Sequence, residues 1–160
     1  MQVRNATARD VAEMAAILNA YVVVGGVTAV EAPLSEAKAR EWYLTGEHSL
    51  CCVVAEDRDG KMLGFQALDL SQSLPDGWAD IATFARTFPR PPGVGTALFA
   101  ATFEQARRAG LHAINATIRA DNAAGLAYYA RLGFETYDVW RGVPLRDGTP
   151  VDRIFKRFTL

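Results

Sequence analysis

A chain of 160 residues is long enough to close one hydrophobic core without disulfide or metal staples. Half of the residues are apolar, 22% are charged and the formal net charge is −1, so the sequence offers neither a basic stripe for a nucleic-acid backbone nor an apolar run of membrane-spanning length. Its two cysteines, Cys51 and Cys52, are adjacent and would point to opposite faces of a strand, which argues for two small apolar side chains and against a disulfide or a metal site.

Residues 1–5 read as a short strand with no signal-peptide pattern, and a cytoplasmic protein with no membrane or nucleic-acid partner is expected. Thr7 and Asp10 form a box-like helix start, and Val11, Met14, Ala15, Ile17, Leu18 and Tyr21 follow at helical spacing until Gly25-Gly26. A loop through Thr28, Glu31 and Pro33 leads to Ser35, an N-cap for a second helix ending near Gly46. Residues 50–55 and 62–70 form a hairpin around the turn 57–60. A strand over 78–87 precedes a Pro- and Gly-rich stretch, a helix to about Arg108, a strand over 113–118 and a short helix over 123–132 stopped by Gly133. Two strands, 134–143 and 151–160, close the chain around Asp147-Gly148. No linker or repeat interrupts the order, so residues 1–160 are expected to form a single α/β domain, a mixed sheet with helices on its faces.

Chemistry concentrates in two stretches. Arg90-Pro91-Pro92-Gly93-Val94-Gly95-Thr96 lies between a strand and a helix. A glycine-bearing turn there offers unpaired backbone N–H groups at the positive end of the helix dipole, where a phosphate or pyrophosphate binds; it could equally be a plain turn. No Lys-Ser/Thr follows, so it is not a P-loop, and it lacks the third glycine of a dinucleotide fingerprint. Residues 121–134 hold Asn122, Tyr128, Tyr129, Gly133 and Phe134, which by themselves describe a capped helix.

In this order the two stretches resemble motifs A and B of the GNAT N-acetyltransferase superfamily. The loop 28–33, the strand 79–84 and the closing residues 152–160 resemble its phosphinothricin and methionine-sulfoximine acetyltransferase branch. The resemblance implies a mostly antiparallel sheet splayed at its centre between the strands 78–87 and 113–118. It implies acetyl-CoA in the gap, with the pantetheine arm on the backbone of Thr83, Phe84 and Ala85 and near Asn122. The diphosphate would lie on Gly93, Val94, Gly95 and Thr96, with Arg90 adding a charge. Direct attack of a small-molecule amine on the thioester, with no acyl-enzyme and no metal, follows from it. By alignment with the family's glutamate, Asp80 is the candidate base, acting directly or through water. Tyr129 is the candidate acid, and the N–H of Phe84 or Ala85 the candidate oxyanion donor. Arg86 is either a solvated charge or a contact to the CoA 3′-phosphate, and His48 and His112 lie outside the motifs.

One departure stands out. Pro91 and Pro92 occupy positions where the family carries basic or polar residues, and proline has no N–H to offer a phosphate. The acceptor class stays open. An amino acid or analogue would need a cation for its carboxylate, for which Lys38, Arg40, Arg141 and Arg146 are available. A polyamine or aminoglycoside would favour acids, such as Glu31, Asp69 and Asp76. A protein N-terminus, or a non-catalytic acyl-CoA-binding module, completes the alternatives. Family members commonly dimerise, so a homodimer is expected; Trp140, Val143 and Phe155 are candidates for its interface or for core.

Overall fold

The computed structural model describes residues 1–89 and 91–160. Strand β1 (Gln2–Asn5) leads through a short 3-10 turn to helix α1 (Val11–Val24). The expected helix start is present: the Thr7 N–H donates to Asp10 Oδ2 at 2.7 Å. The Arg4 guanidinium then clamps Asp10 (2.8 and 2.9 Å) and Glu56 of the second strand (2.8 Å), tying the entry of α1 to the sheet.

The second helix differs from the expected single span. It is α-helical over α2 (Glu36–Arg40), capped by Ser35 Oγ accepting from the Lys38 N–H at 3.1 Å, and then widens into a π turn over Glu41–Thr45. The Thr45 hydroxyl reaches the Arg40 carbonyl at 3.4 Å, five residues back. That wider turn lets Tyr43 point inward, edge-on to Phe65 with ring centroids 5.2 Å apart.

Strands β2 (Ser49–Glu56) and β3 (Met62–Asp69) form the hairpin, followed by β4 (Trp78–Ala85), helix α3 (Val94–Arg108), β5 (Ala113–Arg119), helix α4 (Ala123–Leu132), β6 (Glu135–Pro144) and β7 (Pro150–Thr159). They build one seven-stranded sheet in the order β1-β2-β3-β4-β5-β7-β6. Its only parallel pair among the described residues is β4 with β5.

Side-chain alternation gives the sheet two buried faces. On one, Phe65, Ala67 and Phe84 pack under Met14 and Leu18 of α1 and Tyr43 of the π turn. On the other, Leu68, Ile81 and Ile114 pack with Phe99 of α3 and Tyr129 of α4, while Leu98 seals Val53 and Leu63. Phe65, Met14, Leu18, Leu98 and Ile114 are fully buried, each worth about 1.5–3 kcal/mol of transfer free energy.

The parallel pairing is short, and this matters most for the site. β4 and β5 match only at Trp78 with Ala113, Ala79 with Ile114 and Asp80 with Asn115. Beyond Asp80, β4 stays on β3 as far as Ala85 opposite Gly64, and β5 stays on β7 as far as Arg119 opposite Arg153. A wedge therefore opens between the two halves of the sheet. Strand β4 also ends two residues earlier than the periodicity predicts. Arg86 turns away, its guanidinium bound to Glu13 at 2.6 Å and to the Met62 carbonyl.

Candidate active site

Asp80 is the last β4 residue before the wedge and shares the α1–α2 face with Ala82 and Phe84. Its Oδ1 accepts from Asn115 Nδ2 at 2.6 Å. Asn115 is itself fixed, donating to Thr117 Oγ1 (3.0 Å) and accepting from the Tyr137 hydroxyl (2.6 Å). Burial pushes the Asp80 carboxyl up to about 6, against the pull of the Asn115 N–H. A carboxyl poised there changes charge just below neutral pH, the behaviour wanted of a general base.

The carboxyl opens onto a cavity of about 500 Å³. Directly across the β3–β4 ladder stands Asp69, whose carboxyl burial also raises while His48 draws it down. Glu41, Glu47, Trp42, Tyr43 and His48 also line the cavity, and among the described residues no Lys or Arg does. Trp42 also borders a second hollow of about 510 Å³, next to Arg146 and Glu31. The loop over that hollow is tethered: Glu31 accepts from the Arg146 backbone N–H at 3.0 Å, Arg119 donates to the Thr28 carbonyl at 3.3 Å and Asn122 to that of Val27 at 3.0 Å.

On the opposite face of β4 lies a buried set of hydroxyls. Thr83 Oγ1 is 2.9 Å from the Tyr129 hydroxyl and receives Gln66 Nε2 at 2.8 Å. Gln66 Nε2 also meets the Tyr128 hydroxyl at 3.2 Å, and Tyr128 donates to the Gly95 carbonyl at 2.9 Å. Burial raises the phenol of Tyr129 well above its ordinary value.

Helix α3 begins beside these groups. Gly93, at φ +81°, is its N-cap, and the first intrahelical bond runs from the Ala97 N–H to the Gly93 carbonyl. The N–H groups of Val94, Gly95 and Thr96 precede that bond and lack helical acceptors. Gly95 is needed for space: a Cβ there would lie 2.5 Å from Tyr128 Cε2. Arg90 lies outside the described residues. Asn122 caps α4, its Oδ1 accepting from the Gly125 N–H at 2.9 Å, so one side-chain N–H remains beyond its bond to Val27.

The structure thus brings Asp80, Thr83, Phe84, Ala85 and Tyr129 to one wedge, with Gly93 to Thr96 at its end. The Ala85 carbonyl takes the Tyr21 hydroxyl, leaving its N–H out of that contact. Arg86, given either role in the sequence, is committed to Glu13 and Met62. Sequence reasoning missed Trp42, Tyr43, His48 and Gln66. His48 lies outside both motifs, and no spacing marks the others. Lys38 and Arg141 form exposed ion pairs, Lys38 with Glu41 on the rim of the Asp80 cavity and Arg141 with Asp152.

A sequence profile described as "Acetyltransferase (GNAT) family" matches residues 16–134. The chain is 31% identical to an L-methionine sulfoximine/L-methionine sulfone acetyltransferase of Pseudomonas aeruginosa, over 98% of this chain and 95% of that protein. It superposes on a ribosomal-protein-alanine N-acetyltransferase from Brucella melitensis with a TM-score of 0.88, covering all of both chains at 24% identity. A phosphinothricin acetyltransferase from Sinorhizobium meliloti, solved with acetyl-CoA, superposes with a TM-score of 0.84 at 22% identity, covering 99% of this chain and 88% of that one. These two structures speak to the shared fold.

Proposed function

Because the chain belongs to the GNAT acetyltransferase family and is an acyl-CoA-dependent N-acetyltransferase, we propose that it acetylates the α-amine of an amino acid or amino-acid analogue, with Asp80 as base and Tyr129 as acid. Acetyl-CoA supplies the acetyl group as a thioester. The backbone of Thr83, Phe84 and Ala85 suits the amide groups of the pantetheine arm, which would bind as an added strand, with the spare Asn122 N–H nearby. The bare N–H groups of Val94, Gly95 and Thr96, behind Gly93, suit the diphosphate, and Arg90 adds its charge there. Pro91 and Pro92 contribute no donor, so the cradle relies on residues 93–96.

The observation that carries the reading is Asp80, the last β4 residue paired with β5, facing the 500 Å³ cavity. An ammonium entering there loses a proton to Asp80, directly or through water. The neutral nitrogen forms the N–C bond with the N–H of Ala85 on the carbonyl oxygen; the other expected donor, the Phe84 N–H, is turned to Phe65 in the β3–β4 ladder. The C–S bond then breaks and sulfur takes the Tyr129 proton. The nitrogen sheds a second proton as the amide forms, which balances the one given to sulfur. Cys51 and Cys52 take no part; burial holds both thiols up.

The relative's amino-acid substrates favour this acceptor class. Arg146, bordering the hollow that shares Trp42, is a cation for the carboxylate. A second reading, a polyamine, draws on Glu41, Glu47, Asp69 and Asp80 around one cavity that, among the described residues, no Lys or Arg lines. Free-thiol release from acetyl-CoA with methionine sulfoximine, methionine sulfone, phosphinothricin and spermidine separates them. Turnover of the sulfur and phosphorus amino acids alone is expected, and Asp80→Ala should lower it at least about tenfold. Turnover of spermidine alone selects the second reading; tight CoA binding with no turnover would leave a non-catalytic acyl-CoA-binding module.

The same proposal has residues 1–160 acting as one domain in the cytoplasm, where two unpaired thiols are at home; among the described residues no helix is long and apolar enough to cross a membrane. A homodimer through β6 is supported by Trp140, 57% exposed and tilted against Phe155 with ring centroids 4.8 Å apart. Light scattering that reads the mass of a monomer at micromolar concentration would remove the dimer.

A further inference from the structure

The hydroxyls behind β4 form a chain that ends on one group that can only accept. The Gly95 carbonyl takes the single Tyr128 proton. The Tyr128 oxygen must then be met by a donor, so Gln66 presents its N–H there and not its carbonyl oxygen. The second hydrogen of the same nitrogen points at Thr83 Oγ1. Thr83 Oγ1, accepting from Gln66, lies 2.9 Å from the Tyr129 oxygen, and either hydroxyl of that pair can donate; the Gln66 N–H polarises the Thr83 O–H and so favours Thr83 as the donor. With Thr83 donating, Tyr129 accepts, and its own proton is left over.

We infer that Gln66 and Thr83 are positioning residues for the acid: an amide-to-hydroxyl relay that turns the Tyr129 proton outward and holds the phenolate that remains once the proton has left. This rests on the reading of Tyr129 as acid. The proton moves from the Tyr129 oxygen to sulfur as the C–S bond breaks, the electron pair stays on the phenol oxygen, and the Thr83 O–H, polarised by the Gln66 N–H, donates to it. Solvent or the spent base returns the proton. Gln66 suits this role because it lies directly across the ladder from Thr83 and is fully buried, so water does not compete for its N–H groups. Its amide oxygen has no hydrogen-bond partner among the described residues, so no other contact there recruits a glutamine. Burial alone would hold the proton on Tyr129, and a donor at the phenol oxygen opposes that.

The test is rate against binding in the full chain, with hydroxylamine as a small nucleophile that does not depend on the natural acceptor. Thiol release from acetyl-CoA is followed after subtraction of the uncatalysed rate, and CoA affinity is read by calorimetry. Thr83→Val and Gln66→Met keep shape and bulk while removing the donors. Each should lower kcat about tenfold with KM for acetyl-CoA and the Kd of CoA unchanged, and Thr83→Ser should restore it. On a Tyr129→Phe background, Thr83→Val should cost nothing further. Full rates in Thr83→Val and Gln66→Met beside a slow Tyr129→Phe, or losses that add to it, overturn the relay alone. A Tyr129→Phe variant as fast as wild type, or a wild type that adds nothing to the uncatalysed rate, overturns the acid and the relay together.

Discussion

The Asp80 carboxyl is held at about 6 by opposing influences. Burial raises it most, Asn115 lowers it through an N–H at 2.6 Å, Asp69 across the ladder raises it and the backbone of Ile81 lowers it. As base it must be ionised, so the rate should fall about tenfold per pH unit below about 6. Two substitutions should move that limb in opposite directions. Asn115→Ala removes a donor to the carboxylate and shifts the limb to higher pH, at about 1–3 kcal/mol of stability for a buried amide. Asp69→Asn removes a like charge and shifts it to lower pH. The measurement is kcat/KM between pH 5 and 8, and a limb unmoved by both variants assigns it to another group. Asp69 illustrates what a sequence hides. Its place near the end of the expected strand 62–70 does not say which residue it will face, yet it ends β3 opposite Asp80, a placement set by the register of β3 against β4.

At the scale of elements, the head of α3 is the most legible part of the molecule. The glycines at 93 and 95 stand out in the chain, but they serve different physical ends. Gly93 supplies a left-handed φ with empty space around it, while Gly95 makes room for the ring of Tyr128, 33 residues further on. Gly93→Ala should therefore cost about 1–2 kcal/mol of backbone strain, visible as a lowered Tm. Gly95→Ala, with a Cβ 2.5 Å from Tyr128 Cε2, must displace that ring and lose its bond to the Gly95 carbonyl. It should weaken CoA binding by tenfold or more in calorimetry and also slow turnover, whereas Gly93→Ala should not slow turnover at saturation. Equal effects of the two on kcat would dissociate Tyr128 from the site. Local backbone need can be read from a motif, and a contact between α3 and α4 cannot. The π turn is another such case: the periodicity of 36–46 gives a helix, and only the packing of Tyr43 on Phe65 shows why its last turn widens.

For the whole molecule, the order of strands and helices is legible because each has its own period, cap and stop, whereas the wedge is not, since it arises from pairing partners far apart in sequence. Net charge is equally silent: a total of −1 conceals a cavity rimmed by four acids. Two carboxyls of opposite behaviour then shape the pH dependence of folding. Asp10, gripped by Arg4, is held down to about 2. Its native state binds the proton less tightly than the unfolded chain, so it contributes stability in full above about pH 4 that is lost as pH falls through about 2. Asp80 has the reverse sign. Raised from 3.8 to about 6, it holds its proton more tightly when folded, so it costs nothing below about pH 4, and its cost grows to roughly 2–3 kcal/mol above about 6. Between pH 4 and 6 the Asp80 cost rises with pH, so Asp80→Asn should flatten the decline of Tm over that interval. It should also raise Tm at pH 7 as it abolishes activity, because asparagine still accepts from Asn115 and carries no buried charge. Asp10→Asn should instead lower Tm at pH 7 and remove the gain between pH 2 and 4. Thermal scans of both variants from pH 2 to 8 read all of this, and an Asp80→Asn protein that keeps the wild-type slope between pH 4 and 6 would show that this carboxyl ionises as freely in the folded chain as in the unfolded one.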